Sequence, residues 1–92
     1  MEQENIKLKA IIESIKFARK MEITSITFSS KFTNSFFLTK DDSKKLQEIC
    51  RKYKASICIK EYAASKRILL SIEEFRKVIN IKRFELIIDI DY

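Results

Sequence analysis

Not one of the 92 residues is a glycine or a proline. Glycine is the residue that reaches positive φ without a Cβ clash, so any left-handed turn in this chain falls to residues that resist it. Glycine-dependent phosphate loops, nucleophile elbows and dinucleotide fingerprints are excluded on the same ground. Histidine and tryptophan are absent too. The usual general base, the commonest metal ligand and the physiological-pH switch go with histidine.

The length sets one compact α/β domain over residues 1–92. A chain of this size buries about 60–65% of the surface its unfolded form exposes, enough for a core without staples. With 46% hydrophobic and 35% charged residues, the composition is that of a folded domain. Lysine and isoleucine are abundant while alanine and arginine are scarce, a skew expected of an AT-rich coding sequence, as in some low-GC bacteria, phages and viruses. The start, Met1-Glu2-Gln3-Glu4-Asn5, is acidic and polar, the reverse of a signal peptide. No apolar run approaches the roughly 18 residues of a membrane span, so a cytoplasmic protein is expected. Cys50 and Cys58 fall inside expected regular elements and are read as reduced thiols. Two thiols without histidine half-fill a tetrahedral zinc site, so neither metal nor cofactor is expected.

Apolar spacing predicts a first helix from Glu4 to Lys20, with Leu8, Ile11, Ile12, Ile15 and Ala18 on its buried stripe. Alternation then predicts strands at Glu22–Ser30 and Ser35–Thr39, joined by Lys31-Phe32-Thr33-Asn34 as a β-hairpin. Asn34 stands in there for the missing glycine. Thr39 and Asp42 open a second helix to Lys54 in a capping-box pattern, with Leu46, Ile49, Cys50 and Tyr53 facing inward. Strands at Ser56–Tyr62 and Lys66–Leu70 follow. Ser71 and Glu74 then cap a short helix stopped at Asn80, and a last strand spans Phe84–Ile90.

The fold class is therefore α+β, a single domain in the order α-β-β-α-β-β-α-β. One mostly antiparallel sheet carries helices on one face, with a ferredoxin-like split βαβ as an option from Ser35 onward. The element order through the third helix resembles that of LAGLIDADG-type DNA-binding endonucleases. The glycine-bearing acidic motif of that family is missing after the first helix, where the chain reads Arg19-Lys20-Met21-Glu22.

Charge supplies the main functional signal. Lys44, Lys45, Arg51, Lys52, Lys54, Lys60, Lys66 and Arg67 lie between Ser43 and Arg67 against Glu48 and Glu61 only, an excess that equals the net charge of the chain, +6. The second helix places its cations outside the buried stripe. Lys60 and Arg67 are expected on the sheet face away from the helices, beside Ser25, Thr27, Ser29 and Phe37. Cations with hydroxyls and an exposed ring suit a phosphate backbone and its bases; the bland reading is a solvated surface that keeps the protein soluble. No zinc-finger spacing, RNP motif or helix-turn-helix is present.

Glu85, Asp89 and Asp91 share one face of the last strand, with Asp89 and Asp91 about 7 Å apart at strand rise. Such a pair can hold Mg²⁺. At the chain terminus, with no neighbouring glycine to open a cleft, it is read instead as the charged margin of an edge strand or as an acidic patch facing a partner's basic surface. Ser65-Lys66 lacks the surroundings of a nucleophile. Phe17, Phe28, Phe36, Phe75 and Phe84 are read as core, and Phe32 and Phe37 as exposed anchors for a partner.

These features describe a small non-enzymatic binding protein whose basic helix and sheet surface contacts nucleic acid or a nucleoprotein. The alternative is a protein–protein inhibitor or adaptor, such as a phage or mobile-element anti-defence factor that blocks a host nuclease complex. A homodimer is compatible with either.

Overall fold

The computed structural model of the chain describes residues 5–61, 66–69, 71–79 and 84–92, with the backbone alone at 61, 66–69 and 78. Eight elements follow in order: α1 (Ile6–Lys20), β1 (Ser25–Phe28), α2 (Ser30–Thr33), α3 (Lys40–Tyr53), β2 (Ala55–Glu61), β3 (Lys66–Leu69), α4 (Ile72–Val78) and β4 (Phe84–Ile90). The strands form one antiparallel sheet in the order β1-β4-β2-β3.

Helix starts fall where side-chain acceptors can take up the first free N–H groups. Asn5 caps α1 by accepting from the Leu8 N–H. Thr39 with Asp42, and Ser71 with Glu74, form complete capping boxes on α3 and α4. The predicted stripe of α1 is buried throughout. On α3, Leu46 and Cys50 are buried, Ser43 joins them, and Ile49 and Tyr53 are half-buried. The stop expected at Asn80, like Tyr62 and Leu70 at the ends of the predicted strands, lies outside the described residues.

Even-numbered residues of β4 (Phe84, Leu86, Ile88, Ile90) and Ile57 and Ile59 of β2 meet Ile11, Ile15, Leu46 and Phe75 in one core. Helices therefore cover one face of the sheet. An aromatic run crosses this core from Phe28 through Phe32, Phe36 and Phe75 to Phe84, with consecutive ring centroids 4.6–6.4 Å apart. The opposite face carries Ser25, Thr27, Ser56, Cys58, Lys60, Glu85, Ile87 and Asp89.

The predicted hairpin is not formed. Ser29 accepts from the Phe32 N–H and starts the short α2, so the chain coils where a turn was expected. Thr33 then donates to the Phe84 carbonyl at 2.8 Å, tying α2 to the start of β4. The predicted strand Ser35–Thr39 lies outside the sheet. Its alternation records burial, with Phe36 and Leu38 inside and Phe37 outside, and no strand pairing. The left-handed position is Ser35, at φ 60°, whereas Asn34 sits at φ −61°.

Without that hairpin, the α-β-β-α opening behind the LAGLIDADG resemblance is absent. The ferredoxin-like split from Ser35 likewise loses its first strand. In its place, β1 and β2 run parallel to each other with β4 between them, and β3 and β4 run parallel with β2 between them. These are two interleaved split β-α-β units that begin at Ser25. A ferredoxin-like sheet has its first and third strands in the centre; here β4 and β2 hold it. Because β4 is central, the acidic-edge reading of Glu85, Asp89 and Asp91 is also overturned.

Candidate nucleic-acid interface

Two links fix α1 and α3 side by side in the same direction. At their N-terminal ends, Asn5 Nδ2 donates to Asp42 Oδ2 at 3.2 Å. At their C-terminal ends, the Asp91 carbonyl accepts from Arg19 at 3.1 Å while its N–H donates to the Lys54 carbonyl at 2.9 Å. The basic last turns of both helices therefore meet at one pole of the domain, where cations also complement the helix dipoles.

The outer side of this helix pair is strongly cationic. Lys9, Lys16 and Lys20 on α1, with Lys40, Lys44, Lys45, Arg51, Lys52 and the C-cap Lys54 on α3, are all exposed. The exposed acids on the same two helices are Glu13, Asp41 and Glu48. At about 100° per residue, the α3 positions separate into two rows. Lys40, Lys44, Gln47 and Arg51 make a row without an acid. Asp41, Lys45, Glu48 and Lys52 make a row of alternating sign, spaced at i, i+3 and i+4 so that neighbours offset one another. Lys52 also rests 5.5 Å from the Tyr53 ring centroid.

The expected site residues thus divide between two sides of the molecule. Lys44, Lys45, Arg51, Lys52 and Lys54 lie together on the helix side. Lys60 lies on the far face of the sheet, in register with Glu85 and near the centre of a face that also holds Asp89. The side chains of Lys66 and Arg67 fall outside the described atoms, although the backbone places them opposite Glu61 and Lys60.

Ser25 and Thr27 do lie exposed on the sheet face away from the helices, where Cys58 and Ile87 are buried, but Ser29 is spent on capping α2. Phe37 is exposed in the segment leading into α3, and its carbonyl accepts from Asn5. Phe32 is half-buried at 4.6 Å from Phe28, with the Lys7 ammonium 5.9 Å from its ring centroid, so it belongs to the aromatic run. Phe17, read as core, is 57% exposed.

The α1 lysines escaped the sequence reading because their charges are spread over a helix whose apolar stripe is the louder signal. Their spacing, Lys9-Lys16-Lys20 at i, i+7 and i+11, does put them in one row.

Cys58, buried on the sheet face away from the helices, donates to Asp89 at 3.4 Å, and Asp91 bonds through its backbone to Arg19 and Lys54. No cluster of three or more metal-ligating side chains occurs among the described residues. Burial pushes the Cys50 thiol up to about 11, far from a reactive thiolate. No described helix is long and apolar enough to cross a membrane.

No known protein family, curated protein or solved structure matches the chain.

Proposed function

We propose that this is a non-enzymatic nucleic-acid-binding protein that grips the phosphate backbone with the outer side of α1 and α3. The observation that carries this reading is the acid-free row Lys40-Lys44-Gln47-Arg51, which lies on the side of α3 turned away from Asp42 and α1 and is continued by Lys54. A one-sign row about 16 Å long at helical rise follows several consecutive phosphates, and each neutralised phosphate releases counterions that favour binding. Contacts of this kind position a strand without reading its sequence. Gln47, inside the row, adds a neutral donor and acceptor.

Two charge-reversal pairs of equal size separate this arrangement from a general basic surface. Lys44→Glu/Arg51→Glu breaks the acid-free row, while Lys45→Glu/Lys52→Glu changes the row that already contains acids. The first pair is expected to weaken binding to a labelled 20-nucleotide strand at least tenfold more than the second, with both variants folded by circular dichroism. Equal losses would reduce the row to part of a general basic surface, and no loss in either variant would remove α3 as the binding element.

A further inference from the structure

α1 has two apolar sides, and its own fold covers only one. Leu8, Ile11, Ile12, Ile15 and Ala18 face the core. Ile6, Ala10, Phe17 and Met21 fall on a second row at i, i+4, i+11 and i+15, with Ile6 76% and Met21 56% exposed. At Phe17 this row faces β1, one of the two edge strands of the sheet. A groove of about 460 Å³ lies between helix and strand, lined among others by Glu13, Phe17, Ile23, Ser25, Ile26 and Thr27.

The strand is equally unprotected. Ile90 donates to the Thr24 carbonyl, which phases the ladder so that even-numbered residues of β1 bond to β4. The N–H and C=O groups of Ser25 and Thr27 therefore point to the free edge. Ser25-Ile26-Thr27-Phe28 contains none of the charges or prolines that natural edge strands use against pairing.

We infer that this edge and the second side of α1 form an isologous interface with a second copy of the chain. Antiparallel pairing about a two-fold axis at Ile26 sets Ser25 of each copy against Thr27 of the other in hydrogen-bonded pairs. Four residues make too short a ladder to hold two domains, so the helices must supply the rest. α1 runs antiparallel to β1, and the same axis lays the two α1 helices antiparallel with Phe17 at the centre.

Glu13, Phe17 and Lys20 lie in one row at i, i+4 and i+7, with both charged residues exposed. Reversing one helix against the other brings each Glu13 onto the partner's Lys20. Shape, edge polarity and charge are thus self-complementary, which selects a second copy over an unrelated peptide.

The test is sedimentation velocity on the full chain from about 1 to 500 µM, with three variants. Wild type is expected to pass from monomer to dimer. Glu13→Lys sets like charges together and should raise the dimer dissociation constant at least tenfold. Glu13→Lys/Lys20→Glu restores opposite charges and should recover the affinity. Thr27→Pro, which removes an N–H aimed away from β4 and so spares the sheet, should leave a folded monomer. A wild-type chain that stays monomeric at 500 µM overturns the proposal. So does a dimer indifferent to Glu13→Lys and Thr27→Pro.

Discussion

Asn5 and Asp42, the N-cap of one helix and a capping-box acid of another, are bonded to each other at 3.2 Å. Asn5 uses its oxygen on the Leu8 N–H and its nitrogen on Asp42 and on the Phe37 carbonyl, while Asp42 also accepts from the Thr39 N–H. The caps of α1 and α3 are therefore one network, and it sets the parallel alignment that gathers the cations of both helices.

Removing this link is expected to cost more than an ordinary cap. Asn5→Ala should lower unfolding stability by about 1–2 kcal/mol, at or above the usual cost of a lost N-cap. Asn5→Asp keeps the acceptor but faces Asp42 with a like charge, so it should recover only part of the loss. Urea denaturation of the three proteins measures both differences.

Left-handed backbone in a chain without glycine gives the second prediction. Glu22, Ser35 and Lys54 adopt φ of 57°, 60° and 54°, a region that non-glycine residues occupy at a cost of roughly 1–2 kcal/mol. Ser35→Gly should stabilise the protein by about 0.5–1 kcal/mol, the strain relief less the added chain entropy. Asn34→Gly, at φ −61°, gains nothing and should destabilise by about 0.5–1 kcal/mol. Opposite shifts in the urea midpoint for these neighbouring substitutions check the assignment.

These two residues also show where sequence reasoning ended. Asparagine is the better left-handed former on intrinsic preference, yet tertiary contacts decided the matter. Ser29 capped a helical turn, Thr33 was drawn to the Phe84 carbonyl, and the reversal moved one residue on. Elements with strong local signals were legible: the α1 stripe, both capping boxes, and the alternation of β4.

Strand pairing was not legible, because Phe36-Phe37-Leu38 alternates alike in a strand or in an extended segment laid on a core. Within the candidate site, the α3 cations could be read from spacing. Lys60 could be placed on the sheet face away from the helices, but its pairing with Glu85 was not legible until the sheet order was known. Phe17 was misplaced because its row on α1 is apolar too, and helical spacing alone does not say which of two apolar rows is covered.

Cys50 supplies a pH dependence. Burial raises its thiol from 9.0 to about 11, so between these values the folded chain keeps a proton that the unfolded chain releases. The stability tied to that proton is complete below pH 9 and is lost as pH rises toward 11, up to roughly 2–3 kcal/mol. Cys50→Ala has no thiol to release and lacks this dependence. The stability gap between wild type and Cys50→Ala should therefore narrow from pH 8 to pH 10.5 in urea titrations. A constant gap would contradict the burial of the thiol.

The most direct test of the binding account is a fluorescence-anisotropy titration of labelled single- and double-stranded DNA and RNA at about 50 and about 200 mM salt. Four or five phosphate contacts through α1 and α3 predict affinity that falls by roughly two to three decades between the two conditions on duplex DNA. Binding of that steepness would establish the cationic helix side as a phosphate-gripping surface. No binding to any of the four at about 50 mM salt would contradict it and leave the nine exposed cations of α1, α3 and its cap as solvated charge.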